Sequence, residues 1–204
     1  MRAFVVALAA ALGTAAGSAR ADDFVMDMRA PMRAGFAYTG LTRGPALSLS
    51  LGLDVDVLPI TRRLAFTLVG DVEANSRLDL PEDDPRSAFG GFGAGAGFFY
   101  VTDEHVAFGL ESVAWATFDN QNVVGGGFST RAYLIPFYVS IERAANATGD
   151  RFGAWVRSAL SVWVMGRADW TSDGNAGTLA FGASFDLARI LFLPYFFALR
   201  KVMR

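Results

Sequence analysis

Residues 44–59 read GPALSLSLGLDVDVLP. Leu47, Leu49, Leu51, Leu53, Val55 and Val57 alternate without a slip against Ser48, Ser50, Gly52, Asp54 and Asp56. Successive side chains of a strand point to opposite faces, so one face here is apolar and the other polar. Ordinary strands run for about 5–6 residues, whereas a strand tilted across a bilayer needs about 9–11, the length over which this alternation holds. The stretch predicts one stave of a transmembrane β-barrel, with lipid on the leucine side and a polar lumen on the other.

The flanking sequence carries the same pattern. Pro31–Gly40 alternates Met32, Ala34, Phe36 and Tyr38 with Arg33, Gly35, Ala37 and Thr39. After a tight connection at Pro59–Arg63, Leu64, Phe66, Leu68 and Val72 oppose Thr67, Asp71 and Glu73. Asn75–Ser87 is polar, holds two prolines and reads as a long loop. Ala88–Val101 sets Gly91, Gly93, Gly95 and Gly97 on one face and Phe92, Ala94, Ala96, Phe98 and Tyr100 on the other. That spacing lacks the G-x-G-x-x-G of a phosphate loop, and a glycine row weakens a strand unless bulk fills the space above it. The row is expected inside the barrel, as a groove that receives side chains such as Trp115.

Val106–Phe118 follows, with Glu111, Trp115 and Thr117 on the polar face. Asp119–Gly127 reads as a loop, and Phe128–Arg143 as a strand with a bulge at Pro136, which has no N–H for the ladder. Ala144–Arg151 reads as a turn, Phe152–Arg167 as a seventh strand, Asp169–Ala176 as a loop and Gly177–Ala188 as an eighth strand. Eight is an even number, as closed bacterial barrels require. With the N-terminus in the periplasm, the connections at Pro59, Thr102 and Ala144 are periplasmic, the first two of them short and Ala144–Arg151 the weakest fit to the pattern, and Asn75–Ser87 is the longest outer loop.

Met1–Ala21 has a basic residue at Arg2, an apolar core from Ala3 to Leu12 and a small-residue end at Ala19–Ala21, the three parts of a secretory signal. The domains are then the signal at 1–21, the barrel at 22–188 and an apolar-basic tail at 189–204, an interfacial helix or a ninth extended segment interrupted by Pro194. The chain is 52% hydrophobic yet has no later apolar run long enough for a membrane helix, a combination that interleaved barrel strands produce. Cysteine is absent, so an exported chain is held by its ladder and core rather than by disulfides. A net charge of −2 without a basic stripe argues against nucleic acid.

In strand number and length the chain resembles the small eight-stranded outer-membrane barrels of the OmpA, OmpX and OmpW kind. Gly182, Phe185 and Leu187 are similar to their last-strand assembly signal, although Leu187 stands where those families usually have an aromatic. The resemblance implies outer-membrane lipid and lipopolysaccharide as surroundings, the barrel-assembly machinery as a folding partner, a monomer, and the outer membrane of a Gram-negative bacterium as location.

If the apolar faces meet lipid, the lumen inherits Arg33, Asp54, Asp56, Asp71, Glu73, Glu111, Arg131, Arg157, Arg167 and Asp186. Running the strands alternately up and down puts Arg33 and Arg157 in the periplasmic half with Asp54, Asp56 and Asp186. Arg131 and Arg167 fall in the outer half with Asp71 and Glu73, and Glu111 lies near the middle. Buried charges are rarely left unpaired, and eight strands leave room for side chains and little else, so a salt-bridged plug is expected rather than a solute path.

Enzymatic chemistry is poorly supported. The single histidine, His105, sits beside Asp103 and Glu104 in a turn, with no serine placed to be its nucleophile. Asp79, Glu82, Asp83 and Asp84 read as a solvated acidic loop more readily than as a cation site, and no cofactor is expected. The reading is a non-enzymatic barrel of structural or adhesion type. Its alternatives are a narrow transport barrel, a soluble lipocalin-like barrel with every face inverted, and a lipid-modifying enzyme.

Overall fold

The computed structural model describes residues 28–39, 44–61, 63–81, 84, 87–102, 106–119, 124–139, 151–171 and 174–190. The signal-like segment, the tail from 191 onward and His105 lie outside them. Nine strands form: β1 (Met28–Arg29), β2 (Pro31–Thr39), β3 (Gly44–Pro59), β4 (Leu64–Arg77), β5 (Ala88–Val101), β6 (Ala107–Asp119), β7 (Val124–Ile135), β8 (Leu160–Thr171) and β9 (Gly174–Asp186). β1 and β2 both pair with β3 and make one stave broken at Ala30, so the staves number eight.

Every neighbour is antiparallel, and the sheet closes on itself where β2 pairs with β9 from Pro31↔Asp186 to Thr39↔Thr178. Closure removes the free edge that an open sheet would present. Pro31 has no N–H for this seam; the Asp186 Oδ1 atom instead accepts from Ala30 N at 2.8 Å and from Ala188 N at 3.0 Å. Gly35 and Gly182 face each other across the seam. A Cβ at Gly182 would strike the Ala34 carbonyl oxygen, and one at Gly35 would meet the Trp163 ring, so the seam closes only over glycine.

The alternation of each strand sorts its side chains. Leu47, Leu49, Leu51 and Leu53 are about half exposed on the outer wall, in a belt with Phe36, Leu68, Val72, Phe92, Leu110, Phe128, Val164 and Phe181. Ser48, Ser50, Asp54 and Asp56 are buried in the lumen. The outside is apolar and the inside charged, which excludes the inverted, lipocalin-like arrangement. No helix among the described residues is long and apolar enough to cross a membrane. At Asp56/Leu58 the β3–β4 register shifts by a bulge, and β3 ends at Pro59, where Thr61 Oγ1 accepts from the Arg63 and Leu64 amides.

Several boundaries differ from the sequence reading. Arg151–Ser158 is a helix, α1, and the stave begins only at Leu160. Arg157 is therefore not a lumen residue; it is exposed on the last turn of α1. β7 ends at Ile135 in a turn at 136–137 rather than continuing through a bulge. β4 runs to Arg77, β7 starts at Val124, β8 reaches Thr171 and β9 starts at Gly174, so three supposed loops are shorter than expected. The longest connection is 136–159, at the same end of the barrel as both termini of the sheet; the connections 60–63 and 102–106 at that end are short as expected, so the asymmetry fails only at 136–159. Leu187 lies beyond the last pair of β9, where the chain turns helical at 187–190.

Candidate functional site

Among the described residues, charged side chains gather in the lumen. From the end that holds the termini, Arg29 donates to both Asp56 oxygens at 2.9 and 3.1 Å, and its guanidinium lies 4.0 Å over the Phe99 ring. Thr67 Oγ1 also donates to Asp56, at 2.7 Å. One layer up, Arg33 faces three carboxylates: Asp71 at 3.2 Å, Asp54 at 3.4 Å and Glu111 at 3.6 Å. Arg131 then reaches Asp71 at 2.5 Å and Glu111 at 3.2 Å. Nearest the far end, Arg167 bridges Glu73 and Asp169, with Asp169 at 2.6 Å.

These contacts form a ladder in which the guanidiniums of Arg33, Arg131 and Arg167 each lie between carboxylates of different strands, while Arg29 engages Asp54 and Asp56, both of β3. Fully buried ions cost several kcal/mol each unless paired with good geometry, and a planar fork that donates to two partners supplies that geometry. Asp54, Asp56, Asp71, Glu73, Glu111 and Arg131 are all 5% exposed or less, which leaves no room around them for a continuous water column. A cavity of about 20 Å³ sits at the terminal end between Arg29, Arg33, Asp54, Tyr133, Ser161, Ser184 and Asp186, space for about one water.

The remaining volume is filled by the glycine row and its partners. Gly91, Gly93, Gly95 and Gly97 line the inner face of β5, paired with Thr117, Trp115, Val113 and Glu111 of β6. A Cβ at Gly93 would stand 2.6 Å from Val113 Cγ1 and 2.9 Å from Trp115 Cδ2; one at Gly97 would meet Glu111 Cγ at 3.0 Å. Trp115 lies over this row, its Nε1 donating to Ser129 Oγ at 2.8 Å and its ring carrying the Arg167 guanidinium at 4.7 Å. Small residues on one wall thus admit large ones from the next.

Of the expected lumen residues, Arg33, Asp54, Asp71, Glu111 and Arg131 meet in one cluster, while Glu73 and Arg167 form a second with Asp169. Asp186 stands apart at the seam, with Arg189 Nε at 3.2 Å. Arg29, Asp169 and Arg189 were not expected in the lumen; for Arg29 and Asp169 a charge in phase with the polar face of the adjoining strand was the available signal, whereas Arg189 lies in the helical turn after β9, out of phase with Asp186. Among the barrel-end residues, Gly182 lies at the seam, Phe185 is the last outward side chain of β9, and Leu187 follows the strand. Among the described residues no group of His, Cys, Asp and Glu is placed to hold a metal. Asp79 is engaged by Arg77 at 2.5 Å, while Glu82 and Asp83 lie outside the described residues.

The fold is that of a small eight-stranded membrane β-barrel. Solved structures similar to it include the outer membrane enzyme PagL, with 12% identity over 76% of this chain and 98% of that one, at a TM-score of 0.49. Neisserial surface protein A is 15% identical over 79% of this chain and 99% of its own, at 0.39. Ail, the attachment invasion locus protein of Yersinia pestis, is 10% identical over 78% and 97%, at 0.38. No protein-family model matches the sequence, and no curated protein does.

Proposed function

We propose that the chain is an integral outer-membrane protein of Gram-negative bacteria with a structural, non-enzymatic role and a lumen closed to solutes. The observation that carries this reading is the ladder from Arg29 to Arg167, which fills the barrel with paired charges instead of a water path. Between structural and adhesive roles, the connections opposite the termini favour the first. They span only 40–43, 78–87, 120–123 and 172–173, a small surface for a partner to grip. The apolar belt supplies the bilayer contact, and outer-membrane lipid and lipopolysaccharide are its expected surroundings.

Two measurements test the proposal together. In SDS, unboiled protein from the outer-membrane fraction should migrate differently from boiled protein, because a closed ladder has no edge from which to unzip. In planar bilayers the same protein should pass no steady current. Stepwise conductance would overturn the closed lumen and favour the transport barrel, whereas recovery from the soluble periplasm without a mobility shift would overturn the membrane assignment.

A further inference from the structure

At the terminal end of the barrel lie the described flanks of the connection between β7 and β8, residues 136–139 and 151–159, and one side chain ties both flanks down. Arg189, 2% exposed, follows the end of β9. Its Nη1 donates to the Val139 carbonyl at 2.8 Å, on the flank leaving β7, and to Ser158 Oγ at 2.8 Å, on the flank entering β8. Its Nε faces Asp186 at 3.2 Å, and its guanidinium lies 4.9 Å from the Tyr138 ring centre. Tyr138 is itself buried edge-on against Phe99, 5.3 Å between ring centres, inside the mouth. Ser158, which Arg189 holds, also lines the cavity at this end, together with Ala159 of the same flank, Ser161, Ser184, Asp186, Arg33 and Asp54.

We infer that Arg189 is a latch that seals the terminal mouth, tying residues 136–139 and 158–159 to the end of β9 beside the polar cavity. The inference rests on the proposed closed lumen and names what closes this end of it. A seal of this form differs from the ladder above it. The ladder joins staves of the wall, whereas the latch joins a connection to the wall, so its loss leaves the strand pairing intact. Backbone bonds from Asp186 N to the Ala159 carbonyl (2.8 Å) and from Leu187 N to the Ala30 carbonyl (2.9 Å) hold the frame against which the latch closes.

The chain has no cysteine, so a single introduced thiol reports on the cavity without background. Ser184→Cys places it in the cavity wall, on a side chain 6% exposed. The refolded barrel is treated with a small water-soluble methanethiosulfonate, with Arg189 intact and with Arg189→Ala. Labelling of a buried group follows the local opening equilibrium, so Arg189→Ala should raise the rate by about tenfold or more while the heat-dependent mobility shift persists. Equal rates in the two folded proteins, fast or slow, overturn the latch. If Arg189→Ala loses the mobility shift, Arg189→Lys is read instead. It keeps the charge near Asp186 but loses the planar fork, and faster labelling is again expected and an unchanged rate again overturns the latch. Conductance by the unaltered protein would overturn the closed lumen itself, separately from either result.

Discussion

Arg131 on β7 donates to Asp71 on β4 at 2.5 Å, across a lumen whose wall separates the two by β5 and β6. The bond is a strut between staves that share no backbone pairing. Replacing Arg131 by Met would leave Asp71 and Glu111 short of a partner in a site that water does not reach. Removing one member of a buried pair costs about 3–5 kcal/mol, and that loss is expected in urea unfolding of the refolded barrel. Adding Asp71→Asn to Arg131→Met should recover part of it, because the excess of carboxylate charge left around Arg33, and not the missing attraction, carries most of the cost. An Arg131→Met barrel as stable as the parent would show that the strut is not a structural element.

Trp115 fills the space that the glycine row leaves. Trp115→Ala removes the indole, its bond to Ser129 and its contact with Arg167, and should cost about 3–5 kcal/mol in the same assay. Gly93→Ala pushes a methyl group against Val113, Trp115 and the Ala114 carbonyl, with an expected cost of about 1–3 kcal/mol. The double variant should lose less than the sum, since truncating Trp115 relieves part of the crowding. Strict additivity would mean that the two residues do not share the space.

How much of this was legible follows from one physical rule and its exceptions. In residues 44–59 the two faces meet lipid and lumen, so parity alone assigned Asp54 and Asp56 inward and the leucines outward. The same parity placed the glycines of β5 beside Trp115. It failed at strand ends, where Asn75, Arg77 and Asp169 read as loop because they are polar. In a narrow charged lumen polarity at one parity marks a strand. It failed again at Phe152–Ser158, where Ala154, Trp155, Val156 and Arg157 fit a period of two and a helical spacing equally well. Over so few residues the two periods are indistinguishable, and Arg157 was assigned to the lumen on the wrong one. The tie from Arg189 to Val139 and Ser158 joins positions 31 to 50 apart in sequence and leaves no periodic trace.

At the end of β4, Arg77 Nη2 donates to Asp79 at 2.5 Å and Nε at 2.9 Å, and Leu78 N bonds the Pro45 carbonyl at 3.0 Å. The hydrogen bond from Arg77 is the main reason that the Asp79 carboxyl lies below the usual aspartate value. A carboxyl lowered on folding adds stability that is complete above its unfolded pKa and is lost as the pH falls through the folded one. The pair should therefore hold through neutral pH and release only on acidification below the ordinary aspartate range. Carboxyl NMR titration should show Asp79 rising toward that range in Arg77→Ala; an unchanged titration would deny the bond.

Leu51 decides whether the belt faces lipid. It lies near the middle of β3, paired with Met32 on one side and Val72 on the other, and is 52% exposed on the outer wall. An arginine there is an ordinary surface residue if the wall meets water, but at the bilayer midplane it costs about 2–4 kcal/mol, falling to about 0–1 near the interface. Leu47, two outward positions nearer the end of β3, is the internal control. Unfolding from lipid vesicles should show Leu51→Arg destabilised by the larger amount and Leu47→Arg by clearly less, because the long side chain can reach the interface from the end of the strand but not from its middle. In this comparison fold and membrane are separable. A soluble barrel would tolerate both substitutions alike, whereas a depth-dependent penalty requires a hydrocarbon layer centred on the leucine face where the alternation of residues 44–59 puts it.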